Sequence, residues 1–225
     1  MGNGDSTGGA ARAARRRRLA IMLLAIGLCG LASAWDFSLI ERRAEQLYGL
    51  NAEGRDNLGA WHQLLREQGS ADEQEKLQAV NRFFNLRLRF RDDIELWHVR
   101  DYWATPIEAL YKGAGDCEDF AIAKYISLRH LGIPSEKLHL TYVKAQALNQ
   151  AHMVLTYYPH PKAVPLVLDN LIDAIEPADQ RRDLIPVYAF NTEGLWSGNG
   201  QQVGDSKQLS RWQDLLQKMH AEGFP

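Results

Sequence analysis

Cys117 lies among acidic neighbours, in the segment 115–119 with the sequence GDCED. A thiol becomes a useful nucleophile when its pKa is lowered and a base lies within reach. Asp116 is a good helix N-cap, so the sequence predicts a helix that begins at Cys117, where the helix dipole favours a thiolate. Cys117 is therefore either a reactive thiol or a small buried core residue.

A candidate base and a candidate carboxylate lie downstream, on predicted strands at 139–145, 152–158 and 164–169. If the last two strands pair antiparallel, with residue numbers of facing positions adding to about 321 or 322, His152 lies beside Asp169. Such a carboxylate would orient the imidazole, and Cys117, His152 and Asp169 would form a catalytic triad. The alternatives are a surface hairpin with an incidental pair, or Asp173 as the orienting group.

The carboxylates beside the thiol allow two interpretations. Asp116, Glu118 and Asp119 would raise the pKa of Cys117, against the effect of the helix dipole. In one interpretation they cap the helix, with Asp119 at the third helical position. In the other they bind Ca²⁺, together with the pair Asp92-Asp93 if that pair folds back, and the ion would cancel their repulsion of a thiolate.

The remaining pattern predicts an α+β fold. Helices are expected at 36–48, 54–68, 72–86 and 205–221, with a short strand at 86–90. The nucleophile-bearing helix, which begins at Cys117 and ends before Gly132, would pack against an antiparallel sheet. Zinc-finger spacing, a Walker loop and a Gly-x-Ser-x-Gly elbow are all missing from the sequence.

The N-terminal 34 residues have the features of a signal peptide. Basic residues at Arg12 and 15–18 precede an apolar run at 19–31, and Ala32-Ser33-Ala34 supplies a cleavage site. The predicted domains are therefore a signal peptide at 1–34 and a single domain at 35–225, with an uncleaved membrane anchor as the alternative.

Cleavage after Ala34 would change both the thiol content and the charge of the chain. Cys29 would be lost, leaving Cys117 as the sole cysteine, and the formal net charge would change from −2 to −6. Such an acidic protein has no electrostatic basis for binding nucleic acid. We expect a soluble periplasmic protein.

Several segments resemble bacterial transglutaminase-like cysteine proteinases over roughly residues 40–196. The similarity is strongest in the nucleophile segment, and the supporting pieces lie around the histidine, the aspartate and the C-terminal strand: 103–108 (WATPIE), 113–121 (GAGDCEDFA), 151–155 (AHMVL), 167–170 (VLDN), 188–191 (YAFN) and 194–196 (GLW). The resemblance implies a papain/transglutaminase-like fold with the triad Cys117, His152 and Asp169.

The same resemblance implies a cofactor, a substrate and a partner. Ca²⁺ would bind beside the active site, with Asp116 and Glu118 as matching ligands and Asp119 as a third. The substrate would be the N-terminal region of a large repeat adhesin on the cell surface, cut between two small residues. A LapD-like inner-membrane receptor for cyclic-di-GMP would sequester the protease and so control biofilm attachment.

Two other functions fit the same residues. A transglutaminase or amidase would use the same triad on glutamine or on cell-wall peptides, and amine incorporation would distinguish it from a peptidase. A non-catalytic exported binding module would keep Cys117 as a structural residue, and its thiol would react slowly, as expected for a pKa near 8.5.

Overall fold

The computed structural model describes Met1, residues 35–49 and residues 51–225. Apart from Met1, the predicted signal peptide lies outside the described residues. The fold below is that of the compact unit Trp35–Pro225. Within the described part of the chain, no helix is long and apolar enough to cross a membrane.

Three helices open this unit: α1 (Phe37–Tyr48), α2 (Ala52–Glu67) and α3 (Glu73–Arg87). Each follows a capping side chain that accepts a backbone N–H of the first turn, from Asp36, Asn51 and Asp72 respectively. The three predicted helices are confirmed. The second begins two residues earlier than predicted, because Asn51 provides the cap.

A connecting region leads from α3 to the cysteine. It contains β1 (Arg89–Phe90), α4 (Asp93–Leu96), α5 (Pro106–Lys112) and β2 (Ala114–Gly115), with β1 and β2 paired in parallel. The predicted strand at 86–90 is shorter than expected. The helical bonds of α3 continue to Leu88, whose N–H donates to the Phe84 carbonyl at 3.0 Å.

The central helix α6 (Cys117–His130) begins at Cys117, as predicted. Its residues 119–128 are all buried, because α6 packs against α3 on one side and against the sheet strand β4 on the other. A helix enclosed in this way has a fixed axis. The position of its first residue is therefore set by the core.

The sheet has seven antiparallel strands in the order β6-β5-β4-β3-β7-β8-β9. They are β3 (Leu138–Ala145), β4 (Gln150–Tyr157), β5 (Leu166–Leu168), β6 (Glu176–Pro177), β7 (Leu184–Phe190), β8 (Leu195–Ser197) and β9 (Gln202–Gly204). Helix α7 (Ser210–Ala221) closes the unit after a short 3₁₀ turn at Ser206–Gln208. The α+β prediction is confirmed. The last helix begins at Ser210, later than predicted, because residues 206–208 form a 3₁₀ turn instead of the first turn of the α-helix.

The register of β4 and β5 differs from the prediction. Leu155 pairs with Leu168 and Thr156 pairs with Val167, one to two residues away from the predicted register. The loop at 158–165 is longer than the turn assumed from the sequence at 159–161. Asp169 therefore lies just beyond the end of β5, diagonal to His152 on the neighbouring strand.

Two apolar clusters hold the sheet. The larger lies between α6 and the sheet and includes Leu140, Leu155 and Leu168, together with Trp212 of α7. The smaller lies on the opposite face of β3, β4 and β5 and consists of Val143, Val154 and Val167. The burial of both sets of alternating residues fixes the register of these three strands.

Candidate active site

His152 and Asp169 form a buried pair at one end of the sheet. The distance from His152 Nε2 to Asp169 Oδ1 is 2.8 Å, and the two residues are only 3% and 1% exposed. A hydrogen bond of this kind fixes which imidazole nitrogen carries a proton and how the ring is oriented. The structure thus brings together two of the three residues that the sequence selected.

The Asp169 carboxylate is held by several donors. Its Oδ1 also accepts the Leu171 N–H at 3.0 Å, and its Oδ2 accepts Arg181 Nη2 at 2.7 Å. Burial works against the charged form, but the hydrogen bonds from His152, Leu171 and Arg181 prevail and lower the pKa of Asp169 to about 2. The carboxylate is therefore ionised throughout the neutral range.

Cys117 is the first residue of α6 and is half-buried. Its Sγ lies 3.0 Å from Glu118 Oε2, and the backbone N–H of Met153 lies near enough to lower the pKa of the thiol slightly. Met153 follows His152 directly in β4. The sulfur therefore lies against the same stretch of strand that carries the imidazole.

The surroundings of the sulfur disfavour a thiolate when no ion is bound. Burial raises the pKa of Cys117, and the charges of Glu118 and Asp116 raise it further. Burial also raises the pKa of Asp116 to about 10, with Glu118 and Asp119 adding to the effect. This agrees with the sequence argument that like charges oppose the helix dipole at this position.

Two overlapping groups of carboxylates lie around the start of α6. Asp93, Asp116 and Asp119 each offer an oxygen, and these oxygens lie within 4.8 Å of one another; Asp93, Asp101 and Glu118 do the same. Asp93 belongs to both groups, as expected if the 92–93 pair folds back. Asp101 was missed, because an isolated aspartate in a loop carries no spacing signal.

The carboxylate cluster fits a hard cation. Asp93 Oδ1 and Asp116 Oδ1 are buried and lack a hydrogen-bond partner among the described residues. Buried acceptors of this kind are costly unless they are satisfied, and carboxylate oxygens are the ligands that Ca²⁺ prefers. The predicted ligands Asp116, Glu118 and Asp119 therefore lie in the same carboxylate cluster as Asp93 and Asp101.

Asp119 also has a structural role at this site, since its carboxylate caps the start of α6. Its Oδ1 accepts the Ala104 N–H at 2.7 Å and its Oδ2 accepts the Asp116 N–H at 3.2 Å, as the capping interpretation requires. A Cβ on residue 115 would lie 2.7 Å from the Cβ of Asp119. Gly115 is therefore needed for Asp119 to fold back over the helix start, and capping and cation binding are compatible.

Among the described residues, the side chains of the other candidates make no hydrogen bond to the side chains of His152 and Asp169. Asp173 accepts a hydrogen bond from Asn85 at 3.0 Å and is exposed. His139 packs edge-on against Trp196, and burial lowers its pKa to about 4. His130 packs against the ring of Trp35 at the far end of α6.

Three residues around Asp169 were missed. Asn85 Nδ2 and Lys124 Nζ donate to its backbone carbonyl at 2.9 and 3.1 Å, and Arg181 binds its side chain. In the sequence, Lys124 has the pattern of an ordinary polar residue on a helix. Arg181 is one of two adjacent arginines in a predicted loop. Neither has a motif, and only the tertiary fold reveals their contacts.

A cysteine begins a buried helix that packs against a strand carrying a histidine, and the histidine is paired with an aspartate from the end of the next strand. This is the arrangement of a transglutaminase-like cysteine hydrolase. The family model described as bacterial transglutaminase-like cysteine proteinase matches residues 60–183. The chain belongs to this family, as its resemblance implied, and is a transglutaminase-like cysteine protease.

Among solved structures the chain is similar to LapG of Legionella pneumophila. One such structure is 40% identical with a TM-score of 0.71, and the match covers 80% of this chain and 97% of LapG. An EGTA-treated form is also 40% identical, with the same coverage and a TM-score of 0.72. A calcium-bound form is 39% identical with a TM-score of 0.71, covering 81% of this chain and 98% of that one. A comparison with curated proteins found no match.

Proposed function

We propose that this chain is a calcium-dependent cysteine endopeptidase whose catalytic triad is Cys117, His152 and Asp169. The observation that carries the proposal is the buried His152–Asp169 hydrogen bond of 2.8 Å. His152 is followed in β4 by Met153, whose backbone N–H lies near enough to the sulfur to act on the pKa of Cys117. In this proposal the nucleophile comes from the start of α6, the base from β4 and the orienting carboxylate from the residue that follows β5.

The proposed reaction is acyl transfer. Asp169 accepts a hydrogen bond from His152 Nε2–H, which leaves Nδ1 to take the thiol proton. The Cys117 sulfur attacks the scissile carbonyl, and the backbone N–H of Cys117 stabilises the oxyanion. The amine leaves with the proton from His152, and water then hydrolyses the thioester with His152 as the base.

We propose that Ca²⁺ binds beside the triad. The ligands would come from the two overlapping groups of carboxylates that share Asp93: Asp93, Asp116 and Asp119, and Asp93, Asp101 and Glu118. When bound, the ion would supply positive charge that cancels the repulsion these carboxylates exert on a Cys117 thiolate. The unpartnered buried oxygens of Asp93 and Asp116 support this site, and a calcium-bound structure exists for a protein 39% identical to this chain.

The proposed setting is the periplasm, with residues 1–34 as a cleaved signal peptide. The substrate would be the N-terminal region of a large surface adhesin, cut between two small residues. An inner-membrane cyclic-di-GMP receptor would sequester the protease and so control biofilm attachment. The support is the basic–apolar–small order of the N-terminus and the family resemblance, which extends to 40% identity with LapG.

The direct test is incubation of the purified protein with a candidate adhesin fragment. Wild type and Cys117→Ala are compared, each with Ca²⁺ and with a chelator. We expect cleavage only by wild type with Ca²⁺, because only that sample has a nucleophile in a neutralised site. Circular dichroism of Cys117→Ala confirms that the variant is folded.

Each contrary result removes a stated part of the proposal. Cleavage by Cys117→Ala would reject Cys117 as the nucleophile. Cleavage that ignores the chelator would reject the calcium requirement alone. Incorporation of an amine in place of cleavage, measured in parallel with a labelled amine, would assign the triad to a transglutaminase.

A further inference from the structure

We propose that Arg181 is a positioning residue for the triad: it holds the Asp169 carboxylate in the orientation that presents Oδ1 to His152. This inference rests on the proposed function, since it concerns the same triad. Arg181 does not contact the sulfur or the imidazole. It acts through Asp169 Oδ2, to which Nη2 donates at 2.7 Å.

The two oxygens of Asp169 have different partners. Oδ1 accepts hydrogen bonds from His152 Nε2 and the Leu171 N–H, whereas among the described residues Oδ2 has Arg181 as its only donor. The side chain of Asp169 is fully buried. Without Arg181, Oδ2 would be a buried anionic oxygen with no donor, and rotation of the carboxylate toward other donors would pull Oδ1 away from His152.

The backbone of Asp169 is held independently of its side chain. Asn85 Nδ2 and Lys124 Nζ donate to the Asp169 carbonyl, from α3 and α6 respectively. These two contacts fix where the residue lies. The contact with Arg181 remains to fix which way the carboxylate faces.

Arg181 is itself anchored. Its Nε donates to Asp183 Oδ1 at 3.0 Å and its Nη2 donates to Asp183 Oδ2 at 2.8 Å. The guanidinium is only 4% exposed, whereas the side chain of Asp183 is 44% exposed. Because Asp183 accepts hydrogen bonds from both Nε and Nη2, it fixes the plane of the guanidinium and directs the second Nη2–H at Asp169; a lysine ammonium lacks this planar edge.

The experiment compares four variants with wild type in the presence of Ca²⁺. Arg181→Met removes the charge at similar length, Arg181→Lys keeps the charge without the fork, and Asp183→Asn weakens the anchor. Arg182→Met is the matched control, because Arg182 is the exposed neighbour in the same turn. Thermal unfolding of each variant shows whether it is folded.

Two readouts separate positioning from a merely structural contact. The first is the split between kcat and KM on the adhesin fragment. The second is the far-downfield proton resonance of His152 Nε2–H, assigned with ¹⁵N-labelled histidine and His152→Gln. This resonance reports the hydrogen bond to Asp169 and needs no substrate.

We expect Arg181→Met to lower kcat by about 10- to 100-fold, less than the roughly 10⁴-fold effect of disabling a triad carboxylate. KM should change by less than about twofold, because the substitution alters the orientation of Asp169 and not the binding of substrate. The His152 resonance should move upfield or disappear. Arg181→Lys and Asp183→Asn should show smaller changes of the same sign, and Arg182→Met should match wild type.

The proposal is overturned if the His152 resonance of Arg181→Met stays at its wild-type position, whatever happens to kcat. It is equally overturned if kcat is unchanged on a substrate that wild type cleaves. If Arg181→Met fails to fold, the same two measurements are made on Asp183→Asn and Arg181→Lys, and a wild-type His152 resonance or a wild-type kcat in both variants overturns the proposal. If wild type cleaves no adhesin, the proposed substrate fails, while the resonance still decides the role of Arg181.

Discussion

At the scale of single residues, the sulfur of Cys117 is subject to opposing electrostatic effects. The start of α6 carries partial positive charge, equivalent to about half an elementary charge. Burial, Glu118 and Asp116 act in the other direction and raise the pKa of Cys117. If Cys117 is the nucleophile, its reactivity near neutral pH would require these carboxylates to be neutralised, which is the role proposed for Ca²⁺.

Replacement of the orienting carboxylate tests the triad at this scale. We expect Asp169→Asn to lower kcat by about 10⁴-fold with little change in KM, because the amide stabilises the wrong imidazole tautomer and no imidazolium. Steady-state cleavage of the adhesin fragment measures both constants. Asp173→Asn is the control and should keep kcat within about twofold; equal losses in the two variants would contradict the assignment.

The triad candidates could be chosen from the sequence because each has a local signal. Cys117 follows an N-cap, and His152 and Asp169 lie at corresponding ends of two predicted strands. The predicted register was off by one to two residues, yet the pair still forms because Asp169 reaches His152 diagonally. Arg181 and Asp101 were not predictable, since their contacts arise between loops and have no periodic pattern.

At the scale of elements, the short helix α5, which precedes the cysteine in the chain, is capped by Thr105. Thr105 caps α5 through a capping box: its Oγ1 accepts the Glu108 N–H at 3.1 Å, and Glu108 accepts the Thr105 N–H at 2.9 Å. Thr105 is fully buried and also donates to Glu222 at 2.5 Å. This cap therefore joins local helix formation to tertiary structure.

Removal of the Thr105 hydroxyl should destabilise the protein. We expect Thr105→Ala to lower the free energy of unfolding by about 1–2 kcal/mol, the upper part of the range for N-caps, because Thr105 also has a tertiary partner. Urea denaturation measures this value. Asp36→Ala, at the exposed cap of α1, should cost less; a larger loss there would contradict the importance of the Thr105–Glu222 contact.

The longer elements follow from the sequence and the shorter ones do not. Helices α1, α2 and α3 have apolar periodicity and N-caps, and α6 has an N-cap and a following glycine, so their positions were predicted within two residues. Strands β6 and β9 contain only two or three residues, too few for an alternating pattern to show. The sheet pairs them through tertiary contacts, which override weak local preference.

At the scale of the whole molecule, Glu222 connects the two ends of the described unit. Its Oε1 accepts hydrogen bonds from Tyr48 of α1, at 2.7 Å, and from Thr105 before α5. Glu222 directly follows α7 and is fully buried, and its Oε2 lacks a partner among the described residues. Burial is the main cause that raises the pKa of Glu222 to about 7.

This carboxyl should make stability depend on pH. Because its pKa is raised on folding, its contribution is fully present below about pH 4.5 and is lost as the pH rises through about 7. We expect Glu222→Gln, which imitates the neutral acid, to raise the unfolding midpoint relative to wild type at pH 8.5 and to leave it unchanged at pH 4. The shift should be roughly 2–4 °C per kcal/mol recovered.

Thermal unfolding at the two pH values measures this difference. Asp214→Asn is the control, because Asp214 is an exposed carboxylate on α7. A shift of equal size for both variants, or a shift of Glu222→Gln that is independent of pH, would count against the buried carboxyl as its source.

The central claim is that Cys117 is a nucleophile activated by His152. The rate of iodoacetamide alkylation at Cys117, followed by peptide mass to separate it from Cys29, tests this claim most directly. With Ca²⁺ at pH 6 we expect rapid labelling of wild type, and slow labelling of both His152→Gln and chelator-treated wild type. Slow labelling of wild type with Ca²⁺, rising only near pH 8.5 as for an ordinary thiol and matched by His152→Gln, would contradict the account.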